Sequence, residues 1–153
     1  MSPFHRLMSI ALAAWLAAGV PMASAADPQK LGAGRAAPQT ANRIVIQINE
    51  EDVKKWNAVL ANIRNIQAEL GTRNVAIAVV VIGYGLGMVT ADSLAANGVQ
   101  DALATGVEFI ACGNSMRAQH VEPADLIGGV TIATAGYVEL MQRQQRGWAY
   151  LRP

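Results

Sequence analysis

The stretch Val75-Ala76-Ile77-Ala78-Val79-Val80-Val81-Ile82 decides the fold. It holds no charge and no amide, and most of it is valine and isoleucine. Branching at Cβ restricts χ1 and favours a pleated backbone over a helix. A strand with one wet face alternates apolar and polar residues. This one does not alternate, so both of its faces are expected to be buried. A strand buried on both faces belongs in the middle of a parallel sheet, with helices above and below. At eight residues it is also too short to cross a bilayer, which takes about 20 apolar residues.

The flanks read as alternating helix and strand. On the amino-terminal side, Ile44-Val-Ile-Gln-Ile48 is a short β-branched strand. Asn49-Glu-Glu-Asp52 offers capping groups and acids that suit a helix start. Val53, Trp56, Val59, Leu60, Ile63, Ile66 and Leu70 then recur at helical spacing, and Gly71 supplies the stop. On the carboxyl side, Gly83-Tyr-Gly-Leu-Gly87 breaks the strand. A helix is expected from about Ala91 to Ala104, interrupted near Asn97-Gly98. A strand follows over Val107–Cys112, then a short helix over Asn114–Gln119. The last strand spans Val130–Thr134 and the last helix runs from Tyr137 to Arg146, ending at Gly147.

Strands alternating with helices predict an α/β sandwich with a mainly parallel sheet of four to five strands. Ligands in such sheets bind at the carboxyl ends of strands. The loops after Ile48, Ile82, Cys112 and Thr134 are therefore the places to look. This domain occupies residues 43–153.

The amino-terminal segment reads differently. Met1 to Arg6 is short and positive, Leu7 to Val20 is an uncharged apolar run, and Ala23-Ser24-Ala25 follows Pro21. This is the three-part pattern of a secretory signal peptide cleaved after Ala25. Residues 26–42 are rich in Ala, Gly, Pro and Gln, and read as a flexible leader. The expected location is the periplasm, with no stable membrane span after cleavage.

Of the 153 residues, 52% are hydrophobic and 15% charged, with a formal charge of +1. That composition is unlike a disordered polar chain. Removing residues 1–25 takes away Arg6 and leaves 11 basic against 11 acidic residues. A neutral domain argues against nucleic acid as a partner. Arg143, Arg146 and Arg152 interleave with Trp148 and Tyr150 near the end. Packing of this tail on the domain or on a neighbouring subunit explains it better than a nucleic-acid patch.

Chemistry points to one residue. Cys112 is the only cysteine, so no intramolecular disulfide exists. It ends a strand and precedes Gly113-Asn-Ser-Met-Arg117, which opens a helix. Free N–H groups and the helix dipole would stabilise a thiolate there. Arg117 would add positive charge if it points back. The competing reading is a buried structural thiol. His120 is the one histidine outside the signal, a candidate base or an ordinary surface loop residue. The loop with Gly83, Tyr84 and Gly85, together with Asn49 after the first strand, would line a pocket with His120. Asn49 and the acids at positions 50–52 are explained more simply as helix caps. No metal is expected, since one Cys and one His are too few for zinc. No cofactor is expected either. The spacing GxGxG departs from the dinucleotide fingerprint, and glycines that let backbones approach closely explain it better.

Residues Gly106-Val-Glu-Phe-Ile-Ala-Cys-Gly-Asn-Ser-Met-Arg117 resemble a segment of DsrE/DsrF-like proteins. So do Ile48-Asn-Glu-Glu-Asp52 and the ending Gly147-Trp-Ala-Tyr-Leu-Arg-Pro153. The resemblance implies a flavodoxin-like three-layer α/β/α fold and assembly as a homo-oligomer, a trimer or hexamer. It implies that Cys112 carries sulfane sulfur as a persulfide, as a sulfur carrier or sulfurtransferase. The N–H groups of Gly113, Asn114 and Ser115 would hold the negative charge. Sulfur donor and thiol acceptor are not named by these residues. A tRNA-thiolation relay does not suit an exported chain. The alternative is a non-catalytic oligomeric binding or assembly module with a structural cysteine.

Overall fold

A computed structural model describes residues 42–153. The expected signal peptide and nearly all of the leader lie outside the described residues.

Five strands form one sheet in the order β4-β3-β2-β1-β5, and every pairing is parallel. They are β1 (Asn42–Ile48), β2 (Val75–Val81), β3 (Glu108–Cys112), β4 (Thr131–Ala133) and β5 (Ala149–Leu151). Four α-helices connect them: α1 (Val53–Leu70), α2 (Ala96–Ala104), α3 (Gly113–Gln119) and α4 (Gly136–Gln145). The α/β expectation holds, and the sheet has the upper of the two expected strand numbers.

The central strand behaves as its composition requires. Ile77, Val79 and Val81 face one side and pack with Trp56, Val59, Leu60 and Ile63 of α1 and Val99 of α2. Ala78 and Val80, with the following Ile82, face the other side and pack with Leu140 of α4. Period-two alternation thus sends alternate side chains into two separate cores. Strands β1 to β4 follow one another across the sheet. The chain then returns by α4, on the opposite face from α1, to place β5 beside β1.

Several boundaries differ from expectation for local reasons. Helix α2 starts at Ala96 and not near Ala91. Before it, Ser93 Oγ accepts from Ala95 N–H, and Ala91 N–H donates to the Asp125 carbonyl. Those bonds satisfy the backbone without a helix. Asn97-Gly98 does not interrupt α2. A Cβ at Gly98 would stand 2.7 Å from Leu60 Cδ1, so glycine there lets α1 and α2 approach.

The Gly83–Met88 segment is a 3₁₀ helix and not an open loop. A Cβ on Gly85 would lie 2.6 Å from the Ile48 carbonyl oxygen. The glycine-rich run therefore serves close backbone approach, as its spacing suggests.

The tail is tied down as well. Asp52 caps α1 by accepting the Lys55 N–H, while Glu50 pairs with Lys55 and Arg152. Tyr150 donates to Gln47 Oε1 at 2.6 Å. Arg143 is buried and pairs with Glu139 at 2.6 Å and Glu108 at 2.7 Å, with its guanidinium 4.4 Å from the Trp148 ring centroid. Arg143 and Trp148 therefore belong to the packing of α4 and the tail.

Candidate functional site

Cys112 is the last residue of β3 and the N-cap of α3. Its side chain points to the α4 face of the sheet, beside Ile82 and Ile110. There the first N–H of α4, from Gly136, donates to Cys112 Sγ at 3.2 Å. The sulfur thus sits where the amino-terminal ends of two helices meet, both of which favour negative charge.

A second support comes from the neighbouring 3₁₀ helix. The N–H of Gly83 donates to Ser115 Oγ at 2.8 Å. That bond occupies a lone pair of the hydroxyl, whose hydrogen is given to Cys112. Burial pushes the Cys112 thiol up. The Ser115 hydroxyl and the N–H groups of Gly136, Ser115 and Asn114 outweigh burial, and the net displacement is below the ordinary cysteine value. Asn114 N–H is shared with the Thr134 carbonyl at 3.2 Å. A thiolate held this way is the nucleophilic form of cysteine.

Cys112 is only 3% exposed. It opens onto a cleft of about 470 Å³, within the range of small-molecule sites. Gly83, Tyr84, Asn114, Ser115, Gln119 and Tyr137 are among its walls. Gln119 Nε2 donates to the Gly83 carbonyl at 2.7 Å, which fastens α3 to the 3₁₀ helix.

The residues singled out in sequence separate into two clefts and a remainder. Cys112, Asn114, Ser115, Gly83 and Tyr84 come together at the cleft. Gly113, Arg117 and His120 line a different cleft of about 320 Å³, with Glu122 and Ile132. Arg117 does not turn back to the sulfur, because Asn114 Oδ1, one turn earlier, captures its guanidinium. His120 ends α3 in a left-handed conformation at φ 55°. Gly85 packs under the Ile48 carbonyl and Asn49 follows β1, neither lining the Cys112 cleft.

Gly136, Tyr137, Ala135 and Gln119 were not singled out. The loop after Thr134 was a place to look, but no residue type within it announced a role. What makes Gly136 matter is its backbone N–H, which every residue but proline has. A Cβ on it would stand 2.8 Å from Ile82 Cγ1 and 3.1 Å from Cys112 Cβ. A glycine opening a helix after a strand end was the available signal.

Ser115→Ala tests the hydroxyl. It removes the sulfur's side-chain donor and the acceptor of Gly83 N–H. Losing the acceptor of a partly buried N–H costs about 1–3 kcal/mol. The thiol pKa is expected to rise, read as thiolate absorbance against pH. An unchanged titration would show that backbone donors alone set it.

Among the described residues no group of three or more His, Cys, Asp or Glu could hold a metal, and no helix is long and apolar enough to cross a membrane.

Fold and site together define a class: a parallel α/β domain with a single thiol, its pKa lowered, at the carboxyl edge of its third strand. The chain belongs to the DsrE/DsrF-like family, whose model matches residues 61–153. It is similar to a solved protein of unknown function, MTH1491 from Methanobacterium thermoautotrophicum. That match has 35% identity and a TM-score of 0.70, and covers 73% of this chain and 99% of the other. A conserved protein of unknown function, BT1422 from Bacteroides thetaiotaomicron, shares the fold at 15% identity and TM-score 0.63, covering 77% of this chain and 100% of its own. The ychN protein of E. coli does so at 13% identity and TM-score 0.60, covering 73% and 98%. A search of curated proteins finds no match.

Proposed function

We propose that this protein is an exported sulfur carrier that holds sulfane sulfur as a persulfide on Cys112. The observation that carries the reading is the sulfur's setting: a single thiol that accepts the Gly136 N–H at 3.2 Å, is held below its ordinary pKa by the helix-start groups around it, and opens onto a cleft. The Cys112 thiolate attacks the outer sulfur of a persulfide R–S–SH. The Sγ–S bond forms, the R–S bond to that sulfur breaks, and R–S⁻ leaves. Oxidation state is conserved, and a proton exchanged with water completes the balance. A thiol acceptor takes the sulfur by the same step in reverse. The donors that favour the thiolate also favour the persulfide anion, which places its charge nearby.

Export follows from the pattern of residues 1–25. Assembly into trimers or hexamers is the part of the proposal that rests on the resemblance to DsrE/DsrF-like proteins. It is supported by exposed Val138 and Met141 on α4.

Mass spectrometry tests these together. The full-length gene is expressed in a bacterial host, and the protein is recovered from the periplasm. The intact chain is expected to begin at Ala26 and, in native spectra, to form a trimer or hexamer. After exposure to polysulfide it is expected to gain about 32 Da on Cys112, one sulfur atom on the thiol. Alkylation of Cys112 without any sulfur gain would sink the carrier reading. That result would favour the alternative, an assembly module whose cysteine packs beside Ile82 and Leu140.

A further inference from the structure

The cleft over Cys112 has a composition that selects among sulfur compounds. Two of its walls are tyrosines with unusually bare rings, Tyr84 at 70% exposure and Tyr137 at 63%. Ile82, Ala118 and Ala135 supply apolar surface between them. Its polar side chains are oriented by the protein itself. Ser115 Oγ accepts from Gly83 N–H, Gln119 Nε2 donates to the Gly83 carbonyl, and Asn114 Oδ1 accepts from Arg117. The nearby guanidinium, Arg117, lines the other cleft with His120 and Glu122.

We infer that this cleft takes persulfides with a small, uncharged, apolar body, aromatic above all, in preference to those bearing an anionic body. The inference rests on the sulfur-carrier reading and names its substrate class. An apolar body would cover the bare faces of Tyr84 and Tyr137 while its outer sulfur reaches Cys112 Sγ. A sulfonate body would lose water against Ile82, Ala118 and the tyrosine rings, with no cation among the described residues lining the cleft to replace it. The reacting sulfurs are the same in both cases, so discrimination falls on the body. Bond changes are those given above: Sγ–S forms, R–S⁻ leaves, and nothing is oxidised or reduced overall.

The test compares two donors on the folded mature chain: benzyl persulfide and the persulfide of 2-mercaptoethanesulfonate. Each rate of sulfur gain on Cys112 is divided by the rate on the same chain unfolded in urea, which cancels intrinsic reactivity. Benzyl persulfide is expected to be favoured by about tenfold, the scale of one well-made aromatic contact. Tyr84→Ala combined with Tyr137→Ala is expected to remove most of that preference. A purely structural role for the tyrosines would move both rates together and leave their ratio alone. Leu94→Ala, a bare apolar side chain outside the cleft, is expected to leave both rates unchanged. Equal normalised rates, or a faster sulfonate donor, would overturn the inference and leave the carrier reading standing. Failure of both donors to load Cys112 would overturn the carrier reading, and the inference with it.

Discussion

Gly85→Ala is expected to destabilise the domain by about 3 kcal/mol or more, at the upper end of overpacking costs. The new methyl would stand 2.6 Å from the Ile48 carbonyl oxygen, 2.9 Å from its carbon and 3.1 Å from Asn49 Cα. All three are backbone atoms at the end of β1, so no side chain can swing aside. The Ile48 carbonyl also accepts the Ile82 N–H at 2.8 Å. Pushing the 3₁₀ helix away would strain that bond at the edge of the two central strands. The same movement would draw Gly83 N–H from Ser115 Oγ and weaken the hold on the thiolate. Urea denaturation should show the loss, and thiol titration should show a raised pKa. A cost under about 1 kcal/mol, the range of an ordinary surface change, would mean that the backbone approach is not restrictive.

Gly136→Ala is expected to cost about 1–3 kcal/mol by crowding a packed core. Its methyl would meet Ile82 at 2.8 Å and 3.0 Å and Cys112 Cβ at 3.1 Å. The neighbours here are side chains, which yield more readily than backbone. The start of α4 would nonetheless shift away from the sulfur and lengthen the Gly136 N–H contact of 3.2 Å. A raised Cys112 pKa is therefore expected.

The effect on stability depends on pH with a definite sign. The folded pKa of Cys112 lies below its ordinary value. Its thiolate therefore stabilises the fold fully above the pKa of the unfolded cysteine. That contribution is lost as pH falls through the lowered folded value. The gap between wild type and Gly136→Ala should accordingly widen as pH rises through this interval, in urea unfolding followed at several pH values. A pH-independent gap would show that crowding alone is responsible.

Much of the fold was legible because its signals are local. The Val75–Ile82 run showed a strand buried on both faces, and Trp56, Val59, Leu60 and Ile63 showed the buried stripe of α1. Both follow from periodicity, which neighbouring residues carry between them. Strand β5 was read only as a packing tail, because Ala149–Leu151 is three exposed residues with no pattern. Its place is decided by pairing with β1 at Ile44–Ile46, more than one hundred residues earlier.

The site divides along the same line. That Cys112 closes a strand and opens a helix was written in its neighbours, as were the helix-opening residues Asn114 and Ser115 and the glycines after β2. Which helix end meets the sulfur was not. Gly136 lies 24 residues away and contributes only a backbone N–H, a group with no signature in sequence. Arg117 and His120 lie within eight residues of Cys112, yet line another cleft, because their direction depends on how α3 packs. By itself the sequence determined the strand-and-helix grammar, the lone thiol and its place at a strand end, since short-range sterics and burial act between near neighbours. Only the tertiary structure decided which donors converge on that thiol and which tyrosines wall its cleft. Those depend on strand order and helix face, which bring distant backbone and side chains together.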